Sequence, residues 1–187
     1  MGFGRVGSSF WGFELQNVIP NIVTLGKPIG NGHLLSAVIT THAIAEAFNN
    51  GLEYFNTFGG NPVSCAIGKE ILKIIKDEGS QQHAAEIGQY LINELLNLQN
   101  DYPEIGNIRG KGLFIGIEIV TNPIDRTPDA KKANYIINYM REKGILCSTE
   151  GKHHNVIKFK PPMPFNKQNA DFYINTLNEV LKSITVR

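Results

Sequence analysis

The run Leu113-Phe114-Ile115-Gly116-Ile117-Glu118-Ile119-Val120 decides the fold class. It is apolar and β-prone, and Arg109-Gly110-Lys111-Gly112 turns into it, so it reads as a strand. Downstream, Thr127-Pro128 opens a helix whose core face is Ala133, Ile136, Ile137 and Met140, and Gly144 closes it. Residues 145–148 and 156–160 read as two more strands around a polar loop, and Pro161-Pro162 ends that hairpin. Asn166 caps a final helix with Ile174, Leu177, Leu181 and Ile184 inward. This mixture of strands and helices predicts a small α/β domain.

Upstream the pattern is helical. Asn61 is an N-cap and Pro62 suits the first helical position. Val63, Ile67, Ile71, Ile74 and Ile75 keep helical spacing up to Gly79. A second helix follows Ser80, with Ile87, Leu91, Leu95 and Leu98 on one face. The first third differs again: ten of the 19 glycines lie in residues 1–60. It reads as short strands, Ile22–Leu25 and 36–40, joined by glycine loops, with a short helix over 41–49.

The chain has 187 residues, 42% hydrophobic and 19% charged, which fits a globular protein and argues against disorder. Eighteen Lys+Arg balance 17 Asp+Glu, which argues against a nucleic-acid binder with its basic stripe. No apolar run is long enough for a membrane span, and no secretory signal opens the chain. Cys65 and Cys147 lie far apart without a C-x-x-C, so both read as reduced, mostly buried thiols of a cytoplasmic protein.

Three motifs are deceptive. Gly2-Phe3-Gly4-Arg5-Val6-Gly7 matches G-x-G-x-x-G but lacks the preceding strand and following helix a dinucleotide site needs. Residues 106–111 resemble a phosphate loop one residue short, and read as a turn into the next strand. His153-His154 has no third ligand nearby, so no metal is expected.

Two others carry chemistry. In Leu25-Gly26-Lys27-Pro28-Ile29-Gly30-Asn31-Gly32, a lysine ends an apolar strand and begins a Pro/Gly loop. One reading is a solvated loop lysine. The other is an amine held in a strand-end pocket, partly desolvated and nucleophilic, able to form a Schiff base with a carbonyl or with pyridoxal phosphate. In Asn56-Thr57-Phe58-Gly59-Gly60-Asn61-Pro62, a hydroxyl, two glycines and a capped helix start fall together. That is either a glycine turn into a helix or a phosphate cradle of hydroxyl and N–H donors.

Taken together, these segments resemble class III aminotransferases, pyridoxal-phosphate enzymes of fold type I. The resemblance rests on G-F-G-R-V-G (2–7), P-N-I-V-T-L-G-K-P-I-G-N-G (20–32), E-Y-F-N-T-F-G-G-N-P-V-S-C-A (53–66), R-G-K-G-L-F-I-G-I-E (109–118) and V-I-K-F-K-P-P-M (156–163). It is strongest toward the branch of ethanolamine-phosphate and phosphohydroxylysine phospho-lyases. It implies an α/β chain in three parts: residues 1–61 from the end of the large cofactor-binding domain, linking helices over 62–106, and a small C-terminal α/β domain over 107–187. By the same resemblance Lys27 is the Schiff-base lysine. Thr57 reaches the phosphate of pyridoxal 5'-phosphate across the interface of a homodimer.

Many transaminases of the class hold the substrate α-carboxylate with an arginine just before the Pro-Pro. Here that place is Lys158, which otherwise reads as a surface strand lysine in a small basic patch with Lys160. A lysine is a point charge without arginine's bidentate fork. This fits the phospho-lyase branch, where phosphate is eliminated from an O-phosphorylated primary amine. Transfer of an amino group from an amino acid to a 2-oxo acid is the alternative. The resemblance covers the C-terminal two-fifths of a family member, without the aspartate that pairs with the cofactor's pyridine nitrogen. A fragment needing a partner chain for the remaining half, and an unstable remnant, are therefore further readings.

Overall fold

The structure, a computed structural model, describes residues 2–185. Its elements are β1 (Ile22–Leu25), β2 (Ala37–Thr40), α1 (His42–Phe48), α2 (Pro62–Asp77), α3 (Ser80–Asp101), β3 (Ile105–Lys111), β4 (Phe114–Ile119), α4 (Ala130–Glu142), β5 (Ser148–Glu150), β6 (Val156–Phe159) and α5 (Lys167–Thr185). The result is an α/β arrangement with two antiparallel sheets, one of β1-β2 and one ordered β3-β4-β6-β5.

The larger sheet carries the core. Alternation along β4 sends Ile115, Ile117 and Ile119 to one face, where they are essentially inaccessible to water. Leu91 and Leu95 of α3, Ile136 and Met140 of α4, and Leu177 and Leu181 of α5 join them in one buried cluster. Helical spacing predicts those inward faces, and all three helices bury them. On α2 the same spacing fails in part: Val63 and Ile74 remain exposed.

Residues 106–111 are not a turn. They form most of β3, paired with β4 from Ile105↔Ile119 to Lys111↔Phe114. Gly106 and Gly110 conceal the strand, because glycine has low β propensity. The fold needs them for close approach: a Cβ on Gly106 would lie 2.7 Å from Val120 Cγ1, and one on Gly110 2.5 Å from the Phe114 carbonyl. The strand expected over 145–148 lies later, at Ser148–Glu150, since Ile145 and Cys147 are drawn against the core before pairing begins. Thr127-Pro128 precedes α4 rather than opening it. Pro128 bridges Val120, and Asp129 caps the helix by accepting the Lys132 N–H at 2.8 Å. Asn166 Oδ1 accepts the Asn169 N–H at the start of α5. Cys65 is exposed rather than buried.

The opening segment is pinned to this body. The Arg5 carbonyl accepts the Leu113 N–H at 3.0 Å, and the Gly7 carbonyl accepts Gln81 Nε2 at 2.9 Å. A Cβ on Gly7 would lie 2.6 Å from the Ala85 backbone. Gly7 thus serves close packing on α3, and Gly2 serves close packing on Gly12, where a Cβ would lie 1.8 Å from the Gly12 nitrogen. After them Gly12–Gln16 coils into a 3-10 turn. No helix among the described residues is long and apolar enough to cross a membrane.

Candidate active site

Lys27 follows β1, which pairs with β2 from Ile22↔Thr40 to Leu25↔Ala37. It opens a 3-10 turn, Lys27–Gly30, closed by Asn31 in the left-handed region. Lys27 itself has φ 33°, a conformation that costs an L-residue free energy and that clusters at functional sites. Two anchors hold the turn. Ile29 and Gly30 are buried, with Leu35 packed so tightly on α2 that a Cβ at Gly68 would meet it at 2.7 Å. His33 Nε2 lies 2.8 Å from Ser64 Oγ on the first turn of α2.

Lys27 borders a cavity of about 420 Å³ walled by Val23 and Leu25 on one side and Phe3, Trp11 and Phe13 on the other. Trp11 and Phe13 stack with their rings 8° from parallel. A primary amine beside an apolar, aromatic-walled space fits a flat aromatic aldehyde such as pyridoxal phosphate. No cation lines this cavity apart from Lys27 among the residues bordering it, so the cofactor's phosphate needs donors from elsewhere.

Thr57 does not supply them within one chain. It is exposed and borders neither this cavity nor the next. The donors around it are engaged: Asn56 Oδ1 accepts the Phe58 and Gly59 N–H groups, and Asn61 Oδ1 accepts those of Val63 and Ser64. Asn61 is therefore the N-cap that its sequence position predicts.

Lys158 lies on the sheet face turned away from the helices. It borders a second cavity of about 590 Å³, together with Arg109, Lys111, Gly116 and Glu150. Its ammonium contacts the Glu150 carboxylate, and the hydrogen bond from Lys158 followed by its charge holds that carboxyl below the usual range. Val6 and Leu15 border this cavity too, so the segment 2–16 lines both the lysine pocket and the basic one. The sequence reading missed Arg109 and Glu150 as site residues. The signal for Arg109 was its strand partner opposite Gly116, which depends on β3 being a strand.

The sequence model of the family Aminotransferase class-III matches residues 1–181. The chain belongs to the class III aminotransferase family. It is 50% identical over 186 residues to the alanine–glyoxylate aminotransferase 2-like protein of Drosophila melanogaster, covering 98% of this chain and 38% of that protein. It is 43% identical over 183 residues to ethanolamine-phosphate phospho-lyase homolog 1 of Caenorhabditis elegans, covering 96% and 39%. Among solved structures, a phospholyase from Arthrobacter in complex with phosphoethanolamine superposes with a TM-score of 0.93 at 41% identity. That match covers 97% of this chain and 43% of the other. The chain thus spans about two-fifths of the length of these relatives. Class III membership makes the α/β fold that of a pyridoxal-phosphate-dependent transaminase.

Proposed function

We propose that this chain carries the lysine and the anion site of a pyridoxal-phosphate enzyme that eliminates phosphate from an O-phosphorylated primary amine. The observation that carries the reading is Lys158 in a cavity shared with Arg109 and Lys111. A phosphate ester has three acceptor oxygens and up to two negative charges, and a cluster of cations suits it better than it suits a carboxylate. The likeness to the Arthrobacter phospholyase and the C. elegans phospho-lyase homolog supports the same substrate class.

Pyridoxal phosphate, when bound, supplies the electron sink that makes the proton beside the substrate's amine removable. Lys27 Nζ would hold that cofactor, and its free amine would take the proton from the carbon that bears the substrate's amine. Lys158 Nζ holds the phosphate whose departure breaks the C–O bond. Phe3, Trp11 and Phe13 keep water from the reacting end. Thr57 serves the cofactor phosphate of a second copy in a homodimer, since it stands away from Lys27 of its own chain.

The test is a chimera in which this chain replaces the matching stretch of the Drosophila relative. Phosphate release from phosphoethanolamine is measured beside amino transfer to a 2-oxo acid. Phosphate release that Lys27→Ala abolishes is expected. Efficient amino transfer without phosphate release refutes the elimination reading in favour of transamination.

A further inference from the structure

The strand register of the larger sheet aligns its charges in two rows on the open face. One row runs Arg109, Gly116, Lys158, Ser148 across β3, β4, β6 and β5. The neighbouring row runs Asn107, Glu118, Val156, Glu150. Gly116 therefore lies directly between two cations, and Val156 between two carboxylates. Each cation leans diagonally onto a carboxylate of the other row. Arg109 Nη1 is 3.6 Å from Glu118 Oε2, and Lys158 contacts Glu150.

We propose that Arg109 is a specificity-determining residue that, with Lys158, seats the anionic end of a phosphorylated substrate over Gly116. The inference rests on the function proposed above and adds a second recognition group to it. Arg109 and Lys158 stand two strand spacings apart, about 10 Å between backbones, and both stems are long enough to converge above the glycine. Gly116 has no side chain to fill that space. A Cβ there would lie 3.1 Å from Val156 Cγ1 and 3.8 Å from Arg109 Cγ, so the Arg109 stem already borders the space over the glycine. Arginine offers a fork of donors and lysine a point charge. A tetrahedral phosphate presents oxygens to both at once, whereas a planar carboxylate is matched in geometry by the fork. The existing ion pairs do not bar the seat. In each pair one partner is more than half exposed, Arg109 at 52% and Glu150 at 54%, and water screens the pair from that side. A bound anion exchanges Glu118 and Glu150 for itself, so the carboxylates compete with it.

The experiment titrates the isotope-labelled 187-residue chain with inorganic phosphate at constant ionic strength, following the backbone amide resonances of Arg109, Gly116 and Lys158. The seat requires these three to shift together. It further requires Arg109→Gln and Lys158→Gln each to weaken binding at least fivefold, and Arg109→Lys to lose less than Arg109→Gln. Glu150→Gln, which frees Lys158, tightens binding at least threefold. The same spectra show whether each variant is folded. An unmoved Gly116 amide overturns the proposal. So does an Arg109→Gln variant that binds like the parent, or an equal loss in Lys131→Gln on the exposed face of α4. In the chimera, Arg109→Gln raises KM for phosphoethanolamine at least fivefold with little change in kcat. Phosphate release with KM unchanged by Arg109→Gln overturns this inference alone. Phosphate bound over Gly116 by a chimera that only transfers amino groups overturns the elimination reading and leaves the seat standing.

Discussion

Lys27 is the residue at which local and global evidence meet. Its strand-end position is legible in the order of letters, and its positive φ is visible only in the folded chain. The class III motif and the strained backbone single out the same side chain for independent reasons. Thr57 is the opposite case, legible as a motif yet exposed and outside the lining of the lysine cavity. If Thr57 serves a second copy, Thr57→Val in the chimera weakens cofactor affinity roughly ten- to a hundred-fold, about 1.5–3 kcal/mol for a hydrogen bond to a charged group. A change under about threefold in a cofactor titration shows that the hydroxyl points elsewhere. The cysteines differ from the expectation of two buried thiols. Burial raises the Cys147 thiol to about 11, while Cys65 is exposed on α2. At pH 8 a thiol-specific chromogenic reagent therefore modifies Cys65 rapidly and Cys147 only on unfolding, because the thiolate is the reactive form. Two equally fast thiols contradict that assignment.

At the scale of elements, α3 and α5 are joined by a polar latch at the surface of the core. Tyr90 on α3 donates its hydroxyl hydrogen to Asp171 on α5, and Lys167 Nζ reaches both, at 3.0 Å and 2.9 Å. Asp171 is held below the ordinary carboxylate range, first by Tyr90 and then by Lys167. Its contribution to stability is thus present above that range and lost as pH falls through the lowered value. Lys167 is raised, so its contribution is present below the ordinary lysine range and lost only as pH rises beyond it. Asp171→Asn accordingly lowers Tm at pH 7 and has a smaller effect at pH 3, read by thermal unfolding at the two pH values. An equal effect at both removes the charge from the explanation. A tighter constraint lies where α3 crosses the β3–β4 turn. A Cβ on Gly88 would lie 2.3 Å from the Gly112 carbonyl oxygen. Gly88→Ala therefore destabilises by about 1–3 kcal/mol in urea unfolding, although alanine is the better helix former. Unchanged or increased stability shows that the turn yields freely. The faces of α3, α4 and α5 were legible because their apolar side chains repeat with the helical period and end in one core. β3 was not, because its glycines answer to neighbours distant in sequence.

Across the whole molecule the buried side chains gather on the sheet β3-β4-β6-β5 and its helices. The region from Val18 to Phe58 instead leaves Ile19, Leu34, Phe48, Leu52, Phe55 and Phe58 largely open to water. Apolar exposure of that extent marks a surface that is covered by further protein or prone to association. Limited chymotrypsin digestion of the intact chain therefore cuts first within residues 18–61. Mass spectrometry should find a resistant body from about Pro62 onward, with residues 2–16 retained against it by the Arg5 and Gly7 contacts. Cleavage inside α3 or β4 before the 18–61 region contradicts this division of stability.

The order of residues by itself determined the mixed α/β character, the helical faces, the Asn61 cap, the lysine at a strand end and the absence of arginine before Pro161-Pro162. Each follows from local periodicity or local chemistry, which a linear string records. Only the tertiary structure decided that residues 106–111 are a strand, that Gly7 of G-x-G-x-x-G packs on α3, and that Arg109 and Lys158 flank Gly116 on one face. Those facts depend on strand register and on how closely two backbones approach, and both are set by pairing between residues far apart in the chain.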